Sequence, residues 1–145
     1  MNTLVVDASI AIKWVVEEHG TAQALALRKT AKLTAPDLLV AECANILWKK
    51  VRRGELTAEE ANLAAKLLER ADIELLPMRG LLHAATRIAI ALAHPAYDCV
   101  YLALALATQA RYVTADESLI RKLAQQSDAS LSGAVIALTE TSAAK

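Results

Sequence analysis

The sequence predicts an α/β fold: a central parallel sheet of about five strands, covered by helices on both faces. Three observations carry this reading. Short β-branched runs such as "TLVVDAS" and "RYVTAD" alternate with longer stretches of helical periodicity. That alternation favours parallel strands buried between helices. Two of the runs also end at an acid, and ligands collect beyond the carboxyl ends of strands in open parallel sheets. A length of 145 residues suits one domain with a proper core.

The elements follow in order. Residues 3–9 read as a buried strand and turn, and 10–16 as a helix interrupted near His19 and Gly20. Residues 21–32 read as a second helix. "KLTAP" holds a short strand, and Pro36 suits the first turn of the next helix. That helix runs to about residue 53, where Gly54 supplies a C-terminal stop. Thr57 and Glu60 make a capping box for a helix to about residue 71. "DIELLP" is a strand, residues 81–93 a helix broken by Pro95, and 97–110 a helix that is apolar almost all round. "RYVTAD" is a strand, 117–125 a helix and "AVIALT" a last strand. The domain is assigned to residues 1–139, with residues 140–145 as a frayed tail.

Composition narrows the class. The hydrophobic fraction is 55 %, yet aromatics are 3 % and Phe is absent, so Ala, Leu, Val and Ile must build the core. Lys plus Arg equals Asp plus Glu at 16 each, so net charge announces no nucleic-acid partner. Between residues 28 and 53, however, seven bases face only two acids, enough for a local basic patch. The N-terminal residues lack a basic segment followed by an apolar run, and charged residues interrupt every long apolar stretch. A cytoplasmic protein with no membrane span is expected. Two cysteines, Cys43 and Cys99, form no framework and no CxxC.

Four acids occupy unusual places. Asp7 and Asp116 end strands, Asp98 opens the apolar helix, and Glu42 sits on a helical stripe with Leu38, Leu39 and Ile46. Singly, an Asp after a strand serves as a turn former or helix cap, and an Asp in a first turn favours the helix dipole. Glu42 resists such a reading, because a carboxylate on an apolar face is costly to bury unpaired. Together the four would point at one cleft. Clustered carboxylates repel unless a cation neutralises them, and hard oxygen ligands suit Mg²⁺ or Mn²⁺. Such an ion activates water and stabilises a phosphoryl transition state, so metal-assisted phosphodiester hydrolysis is the favoured chemistry.

The segments "VVDASIAIKWVV", "APDLLVAECANILWKKVRRGEL", "AYDCVYLALALA" and "YVTADESL" resemble the successive motifs of the PIN-domain ribonucleases, and most closely the VapC-type toxins of bacterial toxin–antitoxin pairs. The resemblance spans about residues 4–137, with four motifs in family order. It implies a three-layer α/β/α fold. It also implies Asp7, Glu42 and Asp98 as metal-binding acids, Asp116 as the fourth, and Ser9 and Thr114 as hydroxyls beside them. Mg²⁺- or Mn²⁺-dependent endoribonuclease activity, a homodimer and a cognate VapB-like antitoxin follow as further implications.

Other residues weigh less. Asn45 and Lys49 lie along the helix from Glu42, and Lys49, Arg52 and Arg53 are candidate contacts to RNA phosphates. Most of "KKVRR" reads as a solvated helix end that complements the dipole, Lys49 excepted for its spacing from Glu42. His19, His83 and His94 lack metal spacing and read as surface or capping residues. The thiols directly follow two of the acids and point about 100° away on a helix, so they pack behind them. Trp14, Trp48 and Tyr101 read as core or as an interface, with a partner groove sought around residues 10–26. Two other functions compete. A phosphohydrolase with an Asp nucleophile usually wants a second acid two residues on, where Ser9 stands. A non-catalytic binding protein would use the acidic cleft for a structural ion or for docking a partner.

Overall fold

The computed structural model describes residues 2–126 and 128–141. Strand β1 (Asn2–Val6) leads into α1 (Ala8–Lys13) and α2 (Thr21–Thr30). Strand β2 (Ala31–Pro36) is followed by α3 (Leu38–Arg52) and α4 (Ala58–Glu69). After β3 (Glu74–Leu76), a 3₁₀ turn at Arg79–Leu81 enters α5 (Leu82–Leu92), and α6 (Ala96–Thr108) follows at once. Strand β4 (Arg111–Thr114), α7 (Glu117–Ala124), α8 (Ala129–Ser132), β5 (Val135–Ala137) and α9 (Leu138–Thr141) complete the chain.

The five strands form one sheet in the order β3-β2-β1-β4-β5, and every pairing is parallel. Strand order therefore reverses between β1 and β4. The chain steps outward through β2 and β3 on one side, then returns to build β4 and β5 on the other. The result is the expected three-layer α/β/α sandwich. Helix α6 packs against β1, β2 and β4, with α5 against α6. That position explains its composition: Cys99, Tyr101, Leu102, Ala103, Leu104 and Ala105 are all buried. Small Ala residues let the helix approach three strands closely. With no Phe available, Tyr101 and Tyr112 are the largest fully buried side chains.

Several boundaries depart from the sequence reading. The helix expected over 21–32 stops at Thr30, because Ala31 and Lys32 pair with Asn2 and Thr3 of β1. A sheet ladder there outweighs helical propensity. Pro36 does not open α3. It closes β2 opposite Leu76, and Asp37 takes the N-cap position, its N–H bonded to the Leu76 carbonyl at 2.9 Å. "AVIALT" is strand only through Ala137, after which Leu138 starts α9, and α8 carried no sequence signal. The Thr57–Glu60 capping box forms in full. Of the tail expected at 140–145, Glu140 and Thr141 lie in α9, and residues 142–145 fall outside the described residues. No single helix among the described residues is long and apolar enough to cross a membrane.

The turn after α1 is tied to α3 by charge. Glu18 accepts from Lys13 at 3.0 Å and from Lys50 at 2.9 Å. Burial pushes the Glu18 carboxyl up, but the two ammonium groups outweigh it and hold it below the ordinary glutamate range. A depressed carboxyl stabilises the fold above its unfolded pKa, and loses that contribution as pH falls through the folded one. Glu18→Gln should therefore lower the melting temperature at pH 7. In thermal melts from pH 7 to pH 3, the deficit against wild type should shrink below about pH 4.5.

Candidate functional site

The acids gather at the point where strand order reverses. Val6 pairs with Val113, so Asp7 emerges from β1 beside Thr114 at the end of β4. Asp7 is 5 % exposed and caps α1. Its Oδ1 accepts from Ser9 Oγ at 2.5 Å and from the Ile10 N–H at 3.2 Å. Its Oδ2 accepts from Tyr112 Oη at 2.6 Å and Thr114 Oγ1 at 2.9 Å. Such dense donation is what a buried carboxylate requires.

Glu42 reaches in from the early part of α3, where Tyr101 Oη donates to Oε1 at 2.6 Å. Burial raises the Glu42 pKa; the Tyr101 bond opposes this and the charge of Asp7 adds to it. The rings of Tyr101 and Tyr112 stack 5.6 Å apart with planes 15° from parallel. One stacked pair thus delivers one phenol to Glu42 and the other to Asp7. Both phenols are pushed far up, by burial first and by the carboxylates they serve second. They remain donors across all ordinary pH.

Asp98 stands in the first turn of α6 without capping it. Its pKa is raised to about 6, chiefly by burial, with a bond from His94 opposing and Asp116 and Asp7 adding to the rise. Asp116 caps α7: Oδ1 accepts from the N–H groups of Ser118 at 2.9 Å and Leu119 at 3.2 Å. Its Oδ2 lies 3.8 Å from His94 Nε2. The His94 nitrogen and the oxygens of Asp98 and Asp116 lie within 4.8 Å of one another. For Asp116, then, capping a helix through one oxygen leaves the other beside His94.

The remaining sequence candidates sort clearly. Ser9 and Thr114 bond directly to Asp7. Asn45 is exposed one turn beyond Glu42, and Lys49 is exposed about 10 Å along the helix axis. Arg52 lies 4.9 Å over the Trp48 ring and Arg53 is 3.9 Å from Glu55, so neither adjoins the acids. Trp14 and Tyr101 are core residues, Trp14 donating to the Ala24 carbonyl at 2.9 Å, whereas Trp48 is 53 % exposed. Cys43 and Cys99 are buried free thiols raised by burial to about 12 and about 11, and neither is a ready ligand.

One expectation is corrected. His94 is not a surface residue: it is 8 % exposed and its Nε2 sits 2.7 Å from Asp98 Oδ2. His94 precedes α6 at a corner, and what buries it comes from two helices, Asp98 of α6 and the Asp116 cap of α7. Tyr112 was also missed, although it alternates with Thr114 on one face of β4 and so shares its outlook.

A parallel α/β/α sandwich with Asp7 and Asp116 beyond the ends of β1 and β4, at the switch point, defines a class of protein built around an acidic cleft. The chain belongs to the PIN domain family, whose model matches residues 4–125. It is 35 % identical over 122 residues to Ribonuclease VapC3 of Pyrobaculum aerophilum, covering 82 % of this chain and 93 % of that protein. Two solved structures share the fold. One is PAE2754 of Pyrobaculum aerophilum, with TM-score 0.69 and 24 % identity over 98 % of this chain and 90 % of that one. The other is VapBC2 of Rickettsia felis, bound to a DNA fragment from their promoter, with TM-score 0.60 and 14 % identity over 82 % of this chain and 92 % of that one.

The raised Asp98 pKa has a sign that can be measured. A carboxyl raised in the folded state destabilises the fold increasingly as pH climbs from its unfolded value of 3.8 through about 6. Asp98→Asn should raise the melting temperature of metal-free protein at pH 8 by a few degrees. Below pH 4 the two proteins should melt alike. A lower melting temperature for the variant at pH 8 would remove the repulsion argument.

Proposed function

We propose that this chain is a divalent-cation-dependent endoribonuclease, the toxin of a toxin–antitoxin pair, working in the cytoplasm. The observation that carries the reading is the closeness of Asp98 and Asp116, whose oxygens lie within 4.8 Å of each other, with Asp7 at the switch point between β1 and β4 near enough for its charge to raise both Asp98 and Glu42. The donor set fits a hard cation. These acids are carboxylate oxygens, and their mutual charge, with burial, raises Glu42 and Asp98. The likeness to Ribonuclease VapC3 supports the substrate class, and the VapBC2 neighbour supports an antitoxin partner.

Asp7, Glu42, Asp98 and Asp116 would hold Mg²⁺ or Mn²⁺. When bound, the ion supplies positive charge to a water and to the phosphodiester oxygens. The protein's own work is orientation. Ser9, Thr114, Tyr112 and the Ile10 N–H fix both oxygens of Asp7, and Tyr101 fixes Glu42. The α7 cap holds Oδ1 of Asp116 and leaves Oδ2 toward the cleft. Fixed carboxylates need not reorganise when charge develops, which is where electrostatic catalysis gains most. Lys49 and Arg52 lie on the same helix as Glu42, Arg53 closes it, and these bases would meet the RNA backbone further from the cleft, with Asn45 as a supporting residue one turn from Glu42. A homodimer and a VapB-like antitoxin complete the reading; exposed Leu82, Ile90 and Tyr97 offer apolar surface for such contacts.

Purified protein should cut total cellular RNA into discrete fragments with Mg²⁺ or Mn²⁺, and not with EDTA. Asp7→Asn and Asp98→Asn should each lose more than the roughly 10–100-fold typical of an outer-shell partner. Wild-type rates in either variant would overturn the site. Absence of both cleavage and calorimetric metal binding would favour a binding protein that uses the acidic cleft for docking.

A further inference from the structure

His94 has an unusual pair of neighbours. Its Nε2 lies 2.7 Å from Asp98 Oδ2 and 3.8 Å from Asp116 Oδ2. Its Nδ1 lies 3.1 Å from the ammonium of Lys122, which also donates to the Ala93 carbonyl at 2.9 Å. An ammonium has donors and no acceptor, so Nδ1 must present its lone pair. A neutral imidazole with a bare Nδ1 carries its proton on Nε2. That proton is then aimed at Asp98.

The backbone holds this arrangement in place. Ala93 ends α5 in the left-handed region at φ 51°, where a residue with a Cβ is uncommon. The His94 N–H bonds back to the Ala89 carbonyl at 3.2 Å, and Pro95 caps α6 with φ −52°. Lys122 anchors the corner from α7, on the carbonyl of Ala93 and on the ring of His94. The same helix opens at Asp116, so α7 brings an acid to one side of the imidazole and a base to the other.

We infer that Lys122 fixes His94 as the Nε2–H tautomer, making His94 a positioning residue for Asp98 and not a metal ligand. Its nitrogen is close enough to Asp98 and Asp116 to share a cation with them. Ligation through Nε2 requires that nitrogen to lose its proton. The proton would then sit on Nδ1, donor against donor with Lys122. The carboxylates of Asp98 and Asp116 are left to bind the cation, and an all-oxygen set suits Mg²⁺ better than one containing imidazole. The effect on metal affinity rests on the nuclease reading above; the tautomer does not.

The test begins with metal-free, ¹⁵N-labelled protein and a long-range ¹H–¹⁵N correlation of its imidazoles, His94→Gln identifying the signals. His94 should show a bare Nδ1 and a protonated Nε2, and should keep that pattern as Mg²⁺ is added. Lys122→Met should move it toward a mixture of tautomers. In calorimetric titrations with Mg²⁺, His94→Ala and Lys122→Met should each bind about 10–100-fold more weakly than wild type. His94→Gln, whose amide can place an N–H near the Nε2 position, should recover most of the loss. A protonated Nδ1 in the metal-free protein would overturn the tautomer. Loss of the Nε2 proton on adding Mg²⁺, or tighter binding by Lys122→Met, would make His94 a ligand and overturn its positioning role. If wild type bound no Mg²⁺ at all, the nuclease reading would fall, while the imidazole spectrum would still decide the tautomer.

Discussion

A carboxylate buried at the end of the central strand sets the terms for its surroundings. Asp7 stands where β1 stops, between two neighbouring strands, almost out of reach of water. Left without partners there it would bear the full cost of burying a charge. Four donors from two segments of chain, the start of α1 and β4, converge on it instead. Those donors dictate that α1 starts at once, that β4 lies beside β1, and that Tyr112 and Thr114 point the same way.

The two tyrosines extend that constraint across the molecule. Tyr112 cannot reach Asp7 without its ring lying in the core, and the Tyr101 ring packs flat against it. Tyr101 in turn reaches Glu42 on a different helix. In a chain without Phe, these rings are both the bulk of the core and the support of the cleft. Packing and chemistry are coupled here, because a shift of either ring moves a carboxylate.

Much of this was legible in the sequence because it is local. Strand runs ending in Asp, an acid on an apolar stripe, an acid opening an apolar helix and a capping box are patterns within a few residues, and they pointed to the four candidate acids and to the parallel sheet. What escaped depends on partners far along the chain. His94 lies four residues before Asp98, but its role is fixed by Lys122, 28 residues later. Pro36 looked like a helix opener because its ring suits a first turn, yet its pairing with Leu76 is a property of the assembled sheet. The end of α2 was misplaced for the same reason: only the neighbouring strand shows that Ala31 is extended.

The double duty of Asp7 and Asp116 bears on how relatives of this chain should be judged. Asp7 caps α1 through Oδ1 while Oδ2 ties it to Tyr112 and Thr114 of β4, and Asp116 caps α7 through Oδ1 with Oδ2 beside His94. Selection for folding alone would preserve both, even in a descendant whose cleft served no purpose. Glu42 and Asp98 cap no helix, and burial with like charge nearby works against them. A lineage with no further use for the cleft would lose those two first.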